Sequence, residues 1–186
     1  KEKFYGKLKK EDIRTEQFNL VIGNPPYGGI GVDFSTYSTD SVKLLESLGS
    51  YRIFAYKSNG KKSNGASLGL FDSFVAEPTA TYSAVSSKTA QSTPIEVLFL
   101  ERFIQLCKDG GWIAIIIPDG ILANSNMHYV RTFITENTKV EAIISLPRDA
   151  FKHVGTSAKT SIFFLKKQKM ENLDYPVFLA TLNKTE

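Results

Sequence analysis

Cysteine, histidine and tryptophan are nearly missing from this chain, which has one Cys, two His and one Trp in 186 residues. A lone Cys107 excludes an intramolecular disulfide framework. With only His128 and His153 to join it, far apart in sequence, it also leaves too few ligands for a zinc site. No metal is expected. The longest strongly apolar run, "WIAIIIP" at 112–118, is far shorter than the ~20 residues of a membrane span, and no charged-then-apolar leader opens the chain. A protein of a reducing, cytoplasmic compartment is the expectation. The chain opens on Lys1 rather than methionine, and a strand-like "YPVFLATLN" precedes its last residues, so a fragment of something longer is expected.

Hydrophobic residues at 42% and aromatics at 12% suffice for one core of ordinary size, so the length reads as one domain carrying a long excursion. The net charge of +4 is uneven: Arg148 to Lys169 holds six Lys/Arg against one acid, Asp149, and the first fourteen residues hold six against three. That is a modest nucleic-acid signature, and equally the signature of a solvated basic face.

"FNLVIG" at 18–23 is a short apolar run ended by a Gly-Asn-Pro turn signal, which predicts a parallel strand buried on both faces. From 28 to 92 periodicity is lost in Gly, Ser, Thr, Asn and scattered aromatics. At "TPIEVLFLERFIQLCKDGG" Thr93 can cap a helix, Pro94 fits its first turn, Glu96 closes a capping box, and Gly110 and Gly111 stop it. Ile95, Leu98, Phe99, Phe103, Leu106 and Cys107 recur at helical spacing as its apolar face, which makes the cysteine a packing residue. "WIAIIIPDG" reads as a second buried strand, "NMHYVRTFITEN" as a helix, and "VEAIISLP" and "TSIFFLKK" as two further strands. Those last two, joined without a helix, are expected to be antiparallel within an α/β sheet.

The chemistry concentrates at Asn24-Pro25-Pro26-Tyr27, at the carboxyl end of the first strand, where ligands of open α/β sheets bind. Two prolines remove two backbone donors and hold the chain extended, so the Pro25 carbonyl can stand beside the Asn24 amide oxygen. Two acceptors suit a planar NH₂ group: they stabilise the positive charge that appears as a conjugated amine attacks an electrophile. Tyr27 offers a ring face on which an extruded base can stack. A strand-terminating turn with an aromatic anchor is the plain alternative. "GGIG" at 28–31 fits no phosphate-loop pattern and reads as backbone around an entrance or as a simple turn.

Three segments, in order, resemble the γ-type N6-adenine DNA methyltransferases, most closely the modification subunit of type I restriction systems. "FNLVIGNPPYG" resembles the family's target-amine motif, "LFLERFIQLCKDGGWIAIIIPDGIL" its helix-to-strand segment, and "VEAIISLPRDAFKHVGTSAKTSIFFLKK" its closing strand pair; together they span about half of the chain. The resemblance implies the C-terminal half of a class I, Rossmann-like methyltransferase sheet, mostly parallel with a final antiparallel strand, plus a long loop-rich insertion. It implies that Asn24 and the Pro25 carbonyl bind the adenine N6 amine, that Tyr27 stacks on the flipped base, and that Phe151 packs on that base from another side. Pro118, Asp119 and Gly120 are candidates for lining the same cleft or for a plain strand-ending turn, and His153 and Lys159 for phosphate contact or for solvent exposure without a role.

The organisation expected is one partial catalytic domain over 1–186. It consists of the strand and target-amine motif at 18–31, a variable insertion at 32–92, a helix and strand core at 93–169, and the start of a truncated further strand at 170–186. The implied methyl donor is S-adenosylmethionine. Its glycine-rich loop and ribose-binding acid would lie upstream, because the 23 residues before Asn24 hold no such loop and Asp12 does not fit the acid's setting. The first strand is then expected to expose apolar surface or to pair with another chain. Implied partners are double-stranded DNA, a DNA-specificity subunit and a restriction subunit, in a prokaryotic cytoplasm. The insertion's aromatics Phe34, Tyr37, Tyr51, Phe54, Tyr56, Phe71 and Phe74, with Lys57, Lys61 and Lys62, suit contact with DNA or a partner, or a small satellite core. Two other functions stay open: methylation of another planar amine or amide, such as a protein glutamine or an RNA guanine, and a non-catalytic half-domain that binds DNA or a partner.

Overall fold

The computed structural model describes residues 15–27, 51–59, 92–152, 158–170 and 174–183. Strand β1 (Phe18–Gly23) is followed by helices α1 (Ile53–Asn59) and α2 (Ile95–Leu106), then strand β2 (Cys107–Pro118). A short helix α3 (Gly120–Ala123), a 3₁₀ turn (Ser125–Met127) and helix α4 (His128–Asn137) lead to strands β3 (Lys139–Ser145), β4 (Thr160–Lys166) and β5 (Phe178–Thr181). The strands form one mixed sheet in the order β1-β2-β4-β3-β5. β1 lies parallel to β2, and β5 parallel to β3. β4 runs antiparallel to both β2 and β3, as expected for two strands joined without a helix.

The chain divides into two compact units. The sheet unit comprises Lys1–Asn24, Arg102–Asp119 and Ile134–Glu186, and the second comprises Pro25–Glu101 and Gly120–Phe133. In the sheet unit, the β-branched run of β2 alternates: Ile113, Ile115 and Ile117 are buried, while Trp112, Ala114 and Ile116 are more open. β4 repeats the pattern with Phe163 and Leu165, so one sheet face carries the core. On the other face Lys166 lies over its cross-strand partner Trp112, 5.7 Å from the ring centroid.

Three expectations change in this unit. The helix ends at Leu106, not at the glycines, and Cys107 opens β2. Cys107 is buried nonetheless, and burial pushes its thiol pKa up, which suits packing rather than reactivity. Gly110 and Gly111 lie inside the strand because its start is irregular. The register with β1 shifts between Phe18 and Leu20, Gly110 takes a positive φ of 74°, and a Cβ on Gly111 would stand 2.7 Å from Cys107 Sγ. The second change concerns β1, which is not buried on both faces. Val21 is buried, but Phe18, Leu20 and Ile22 are 45, 54 and 68% exposed, the apolar surface foreseen for this strand, which among the described residues pairs on one side only. The third is the buried stripe of α2: Leu98 is buried as expected, but it packs together with Val97, Leu100 and Ile104, and Phe99 is exposed. Aromatics at helical spacing on two sides of a helix leave the face undecided, and here the aliphatic side is the one that packs.

In the second unit, α1 lies within the segment 32–92, whose sequence has no clear periodicity. Ile53 and Phe54 are buried, and Tyr56 meets Phe133 edge-on at 5.2 Å and 87°. These contacts match the satellite-core reading for α1. Phe34, Tyr37, Lys61, Lys62, Phe71 and Phe74 lie outside the described residues. The start of α1 is satisfied by a side chain from α2. Glu101, 2% exposed, accepts the Arg52 N–H at 2.6 Å through Oε1 and the Ile53 N–H at 2.9 Å through Oε2. A carboxylate there caps orphan donors and meets the positive end of the helix. Glu101→Ala should therefore destabilise the chain by roughly 2–5 kcal/mol, through lost charge-assisted bonds and stranded backbone donors. Glu101→Gln should cost less. Urea unfolding measures the loss, and amide exchange should show lower protection at Arg52 and Ile53; unchanged protection in Glu101→Ala would contradict the capping role.

Candidate functional site

The carboxyl ends of β1, β2 and β3 and the amino end of β4 meet at one edge of the sheet unit. Gly23 pairs with Ile115, so exposed Asn24 follows one residue beyond that pair, while β2 continues to Pro118. The turn into Asn24 leaves no room for a side chain at position 23. A Cβ on Gly23 would stand 2.5 Å from Phe103 Cζ, so the end of β1 sits against α2 through a glycine.

Asp119 is fixed twice by β4. Its N–H donates to the Lys159 carbonyl at 2.9 Å, and its Oδ1 accepts from Ser161 Oγ at 2.7 Å. Lys159 Nζ donates to the Leu146 carbonyl at the end of β3, and the Leu146 N–H donates to Thr160 O at 3.0 Å. The Lys159 ammonium is thus turned toward backbone by one of its three donors. Phe151 is half-buried in the turn that leaves β3, closed by Ala150 N–H to Pro147 O at 3.1 Å and Lys152 N–H to Asp149 O at 3.0 Å. Among the sequence candidates, Asn24, Pro118, Asp119 and Lys159 therefore stand on one edge of this unit, with Phe151 in the loop that begins there. His153 lies outside the described residues.

Pro25, Pro26 and Tyr27 belong to the second unit. Pro25 is buried, Pro26 exposed, and Tyr27 half-buried with its hydroxyl oxygen fully covered. In the same unit, Glu96 in the first turn of α2 is 8% exposed, and its Oε2 finds no hydrogen-bond partner. Tyr129 Oη on α4 is likewise buried without one. The Glu96 charge reaches both phenols. Burial first, then Glu96, raises the pKa of Tyr27, and the same two causes push Tyr129 up to about 12. Lys57 of α1 joins the group, donating to Ser92 Oγ at 2.9 Å and Thr93 Oγ1 at 2.8 Å, with its Nζ 5.9 Å from the Tyr129 ring centroid.

By sequence, Thr93 and Glu96 form only a capping box and Tyr129 has no role. The signal that could have found the cluster is the apolar company of Glu96: "TPIEVLFL" sets a carboxylate among residues that must pack.

For S-adenosylmethionine the described residues do not form a fitting cradle. A nucleotide-binding glycine loop leaves space where side chains would be. Gly23, Gly111 and Gly120 instead face their own chain, with the nearest atoms 2.5, 2.7 and 3.0 Å from an added Cβ, and Gly110, which has open space around it, lies at the start of β2, away from the strand ends that form the site. No cluster of metal-ligating side chains exists among the described residues, and none of their helices is long and apolar enough to cross a membrane.

Residues 74–185, well over half of the chain, match the N-6 DNA Methylase family, and the chain belongs to that family. The match begins after Asn24–Tyr27. Over 167 residues the chain is 26% identical to the type II restriction enzyme and methyltransferase RM.Eco57I of Escherichia coli; the alignment takes in 88% of this chain and spans only 12% of that protein. Among solved structures, a Listeria monocytogenes protein assigned to the class I S-adenosylmethionine-dependent methyltransferases is 22% identical, covering 91% of this chain and 38% of its own, with a TM-score of 0.48. A chain from a type I restriction-modification system is similar at 18% identity, over 83% of this chain and 22% of its own, with a TM-score of 0.45.

Two effects oppose each other at Glu96. Burial raises its pKa above the ordinary carboxyl value, and a hydrogen bond from its own backbone N–H lowers it, as the start of a helix also should; burial wins. The folded chain then holds a proton on Glu96 at pH values where the unfolded chain has lost it. The stability this gives is full below the unfolded carboxyl pKa and is lost as pH rises through the folded one. Glu96→Gln has no such proton to lose. Urea unfolding between about pH 4 and 8 should show wild-type stability falling relative to Glu96→Gln as pH rises, the gap closing again in acid. Parallel curves would contradict the burial of the charge.

Proposed function

We propose that this chain is the target-base half of an adenine-N6 DNA methyltransferase serving a restriction-modification system. The observation that carries the reading is membership in the N-6 DNA Methylase family, over residues that include β2, β3 and β4 and the sheet edge they form. On this reading the Asn24 side-chain oxygen and the Pro25 carbonyl accept from the two hydrogens of the target amine. They draw its lone pair out of conjugation and stabilise the positive charge that grows on nitrogen as it attacks an electrophilic carbon. Asn24 is exposed at the end of β1, and the Pro25 carbonyl cannot be diverted into a helix because Pro26 follows it. Tyr27 stacks on the extruded adenine and Phe151 contacts it from the loop after β3. Pro118 and Asp119 line the cleft, and Lys159 serves a DNA phosphate.

S-adenosylmethionine is the donor this reading implies, with its main pocket formed by residues other than those described. At the level of the system, the closing strand pair favours a modification subunit of the type I kind, guided by a separate DNA-specificity subunit and accompanied by a restriction subunit, in a prokaryotic cytoplasm. RM.Eco57I carries a type II name. Adding a specificity subunit to the purified parent protein separates the two: a type I subunit should methylate its site only when that partner is present.

Asn24→Ala in the parent protein should lower the methyl-transfer rate constant by about 10²–10³ and leave donor affinity nearly unchanged, because the lost oxygen serves the transition state. Single-turnover labelling of an adenine-containing duplex measures it, and wild-type turnover would end the amine-holder reading. Tyr27→Ala should cost about 1–3 kcal/mol of base stacking, while Tyr27→Phe, which keeps the ring, should cost much less. Equal losses would show that the hydroxyl, not the ring, carries the effect.

The chain alone should bind S-adenosylmethionine weakly or not at all. Calorimetric titration tests this, and micromolar binding to a monomer would mean that these residues build the pocket after all.

A further inference from the structure

Ser161 breaks the pattern of its own strand. The core side of β4 carries Leu165 opposite Ile113 and Phe163 opposite Ile115, and the next position on that side is Ser161, opposite Ile117. It is 1% exposed, so a hydroxyl stands where an apolar side chain would pack, and a buried hydroxyl is costly without a partner. The partner is Asp119. Ser161 Oγ donates to Asp119 Oδ1 at 2.7 Å, and the Asp119 N–H donates to the Lys159 carbonyl at 2.9 Å, so one strand holds the residue by side chain and backbone together. The second carboxylate oxygen, Oδ2, has no hydrogen-bond partner among the described residues, and no Lys or Arg among them forms an ion pair with Asp119. Asp119 is half-buried rather than enclosed, which leaves Oδ2 to a group from outside.

We infer that Ser161 is the positioning residue for Asp119, and that Asp119 is a specificity-determining residue: its Oδ2 accepts a hydrogen bond from an N–H of a DNA base other than the target adenine, the N4 amine of a cytosine being the best match.

The inference rests on the adenine methyltransferase reading above and follows from what DNA can offer a carboxylate. An ionised carboxylate accepts and cannot donate. Within a DNA strand the sugar and phosphate carry no donor, and the phosphate charge repels a carboxylate, so the donors left are the N–H groups of the bases. The target adenine has one NH₂ group, and the proposed function gives its two hydrogens to Asn24 and the Pro25 carbonyl. Position agrees with a second group. Gly23 pairs with Ile115, so Asn24 falls level with Ile116, and Asp119 follows three residues later, about 10 Å further along the strand direction. In the major groove cytosine presents a donor alone, adenine sets the acceptor N7 beside its amine, and guanine and thymine present acceptors that repel a carboxylate.

For the test, the parent protein and the partner subunits of its own system are expressed in cells deleted for their own adenine methyltransferases, and the bases around every N6-methyladenine are read by sequencing. In the wild type a cytosine should be fixed at one position near the methylated adenine, on either strand. Asp119→Ala should raise methylation of sites with another base there about tenfold relative to the cytosine sites. Asp119→Asn keeps Oδ1 for Ser161 and turns the second oxygen into a donor, so the preference at that position should move to a base with an acceptor; this variant carries the test if Asp119→Ala does not fold. Ser161→Ala should relax the same position to a smaller degree, and Ser161→Thr, which retains the hydroxyl, should restore it. A structural role alone for these residues would lower total methylation and leave the flanking bases as they were, and that result overturns the inference. Loss of all methylation in Asp119→Asn also overturns it, by placing Asp119 in the transfer step. So does a weaker affinity for S-adenosylmethionine with unchanged flanking bases, which would give Oδ2 to the ammonium of the donor. If the wild type methylates no adenine, the function proposed above falls and this inference with it; normal adenine methylation with one flanking pattern in every variant removes the inference alone.

Discussion

β4 runs against the two strands it separates, and that reversal decides what can gather at the site edge. In a parallel sheet each carboxyl end is flanked by other carboxyl ends, all leaving toward helices. With β4 inserted between β2 and β3, an amino end arrives there instead, and it brings Lys159, Thr160 and Ser161 with it. The Lys159 carbonyl and the Ser161 hydroxyl then hold Asp119, the Thr160 carbonyl receives the Leu146 N–H, and the Lys159 side chain reaches back to Leu146. Two strand ends, those of β2 and β3, are tied by one incoming segment. Without the reversal, the turn after β2 and the turn after β3 would share no backbone partner, and Asp119 would have no fixed bearing.

Two glutamates five residues apart on α2 show how differently one side-chain type can be used. Glu101 is buried and satisfied, its two oxygens closing the start of α1, so its charge stabilises the structure wherever it is ionised. Glu96 is buried with one oxygen unmatched, and its charge works against its surroundings. A fold with no use for the second would be expected to carry an apolar residue there, since "PIEVLFL" otherwise reads as a packing segment. Local inconsistency of this kind is a better guide to function than any single exposed charge.

Much of the sheet was legible because its signals are local and strong. The isoleucines of β2, the pairing of "VEAIISLP" with "TSIFFLKK", and the Asn-Pro break after β1 each follow from propensity and turn chemistry over a few residues. What stayed hidden depends on distant partners. Cys107 obeys helical spacing, yet joins a strand because Phe18 is there to pair with it. Phe99 looks like core, but aliphatic neighbours take the buried side. α1 could not be foreseen in a stretch without periodicity, for the acceptor that closes its first turn is Glu101, nearly fifty residues away. The joint burial of Glu96, Tyr129 and the Tyr27 hydroxyl is invisible for the same reason.

Among the described residues β1 and β5 each pair on one side only, so the sheet keeps two open lines of backbone donors and acceptors. Apolar side chains stand out beside both lines, with Ile22 68% and Leu179 69% exposed. Dilution favours hydration of these margins, and concentration favours another copy. A net charge of +4 over 186 residues supplies little repulsion against that approach, and added salt screens what there is. The colloidal behaviour of the chain is thus written into the same strands that frame its site: crowding favours copies lying along their margins, strand beside strand.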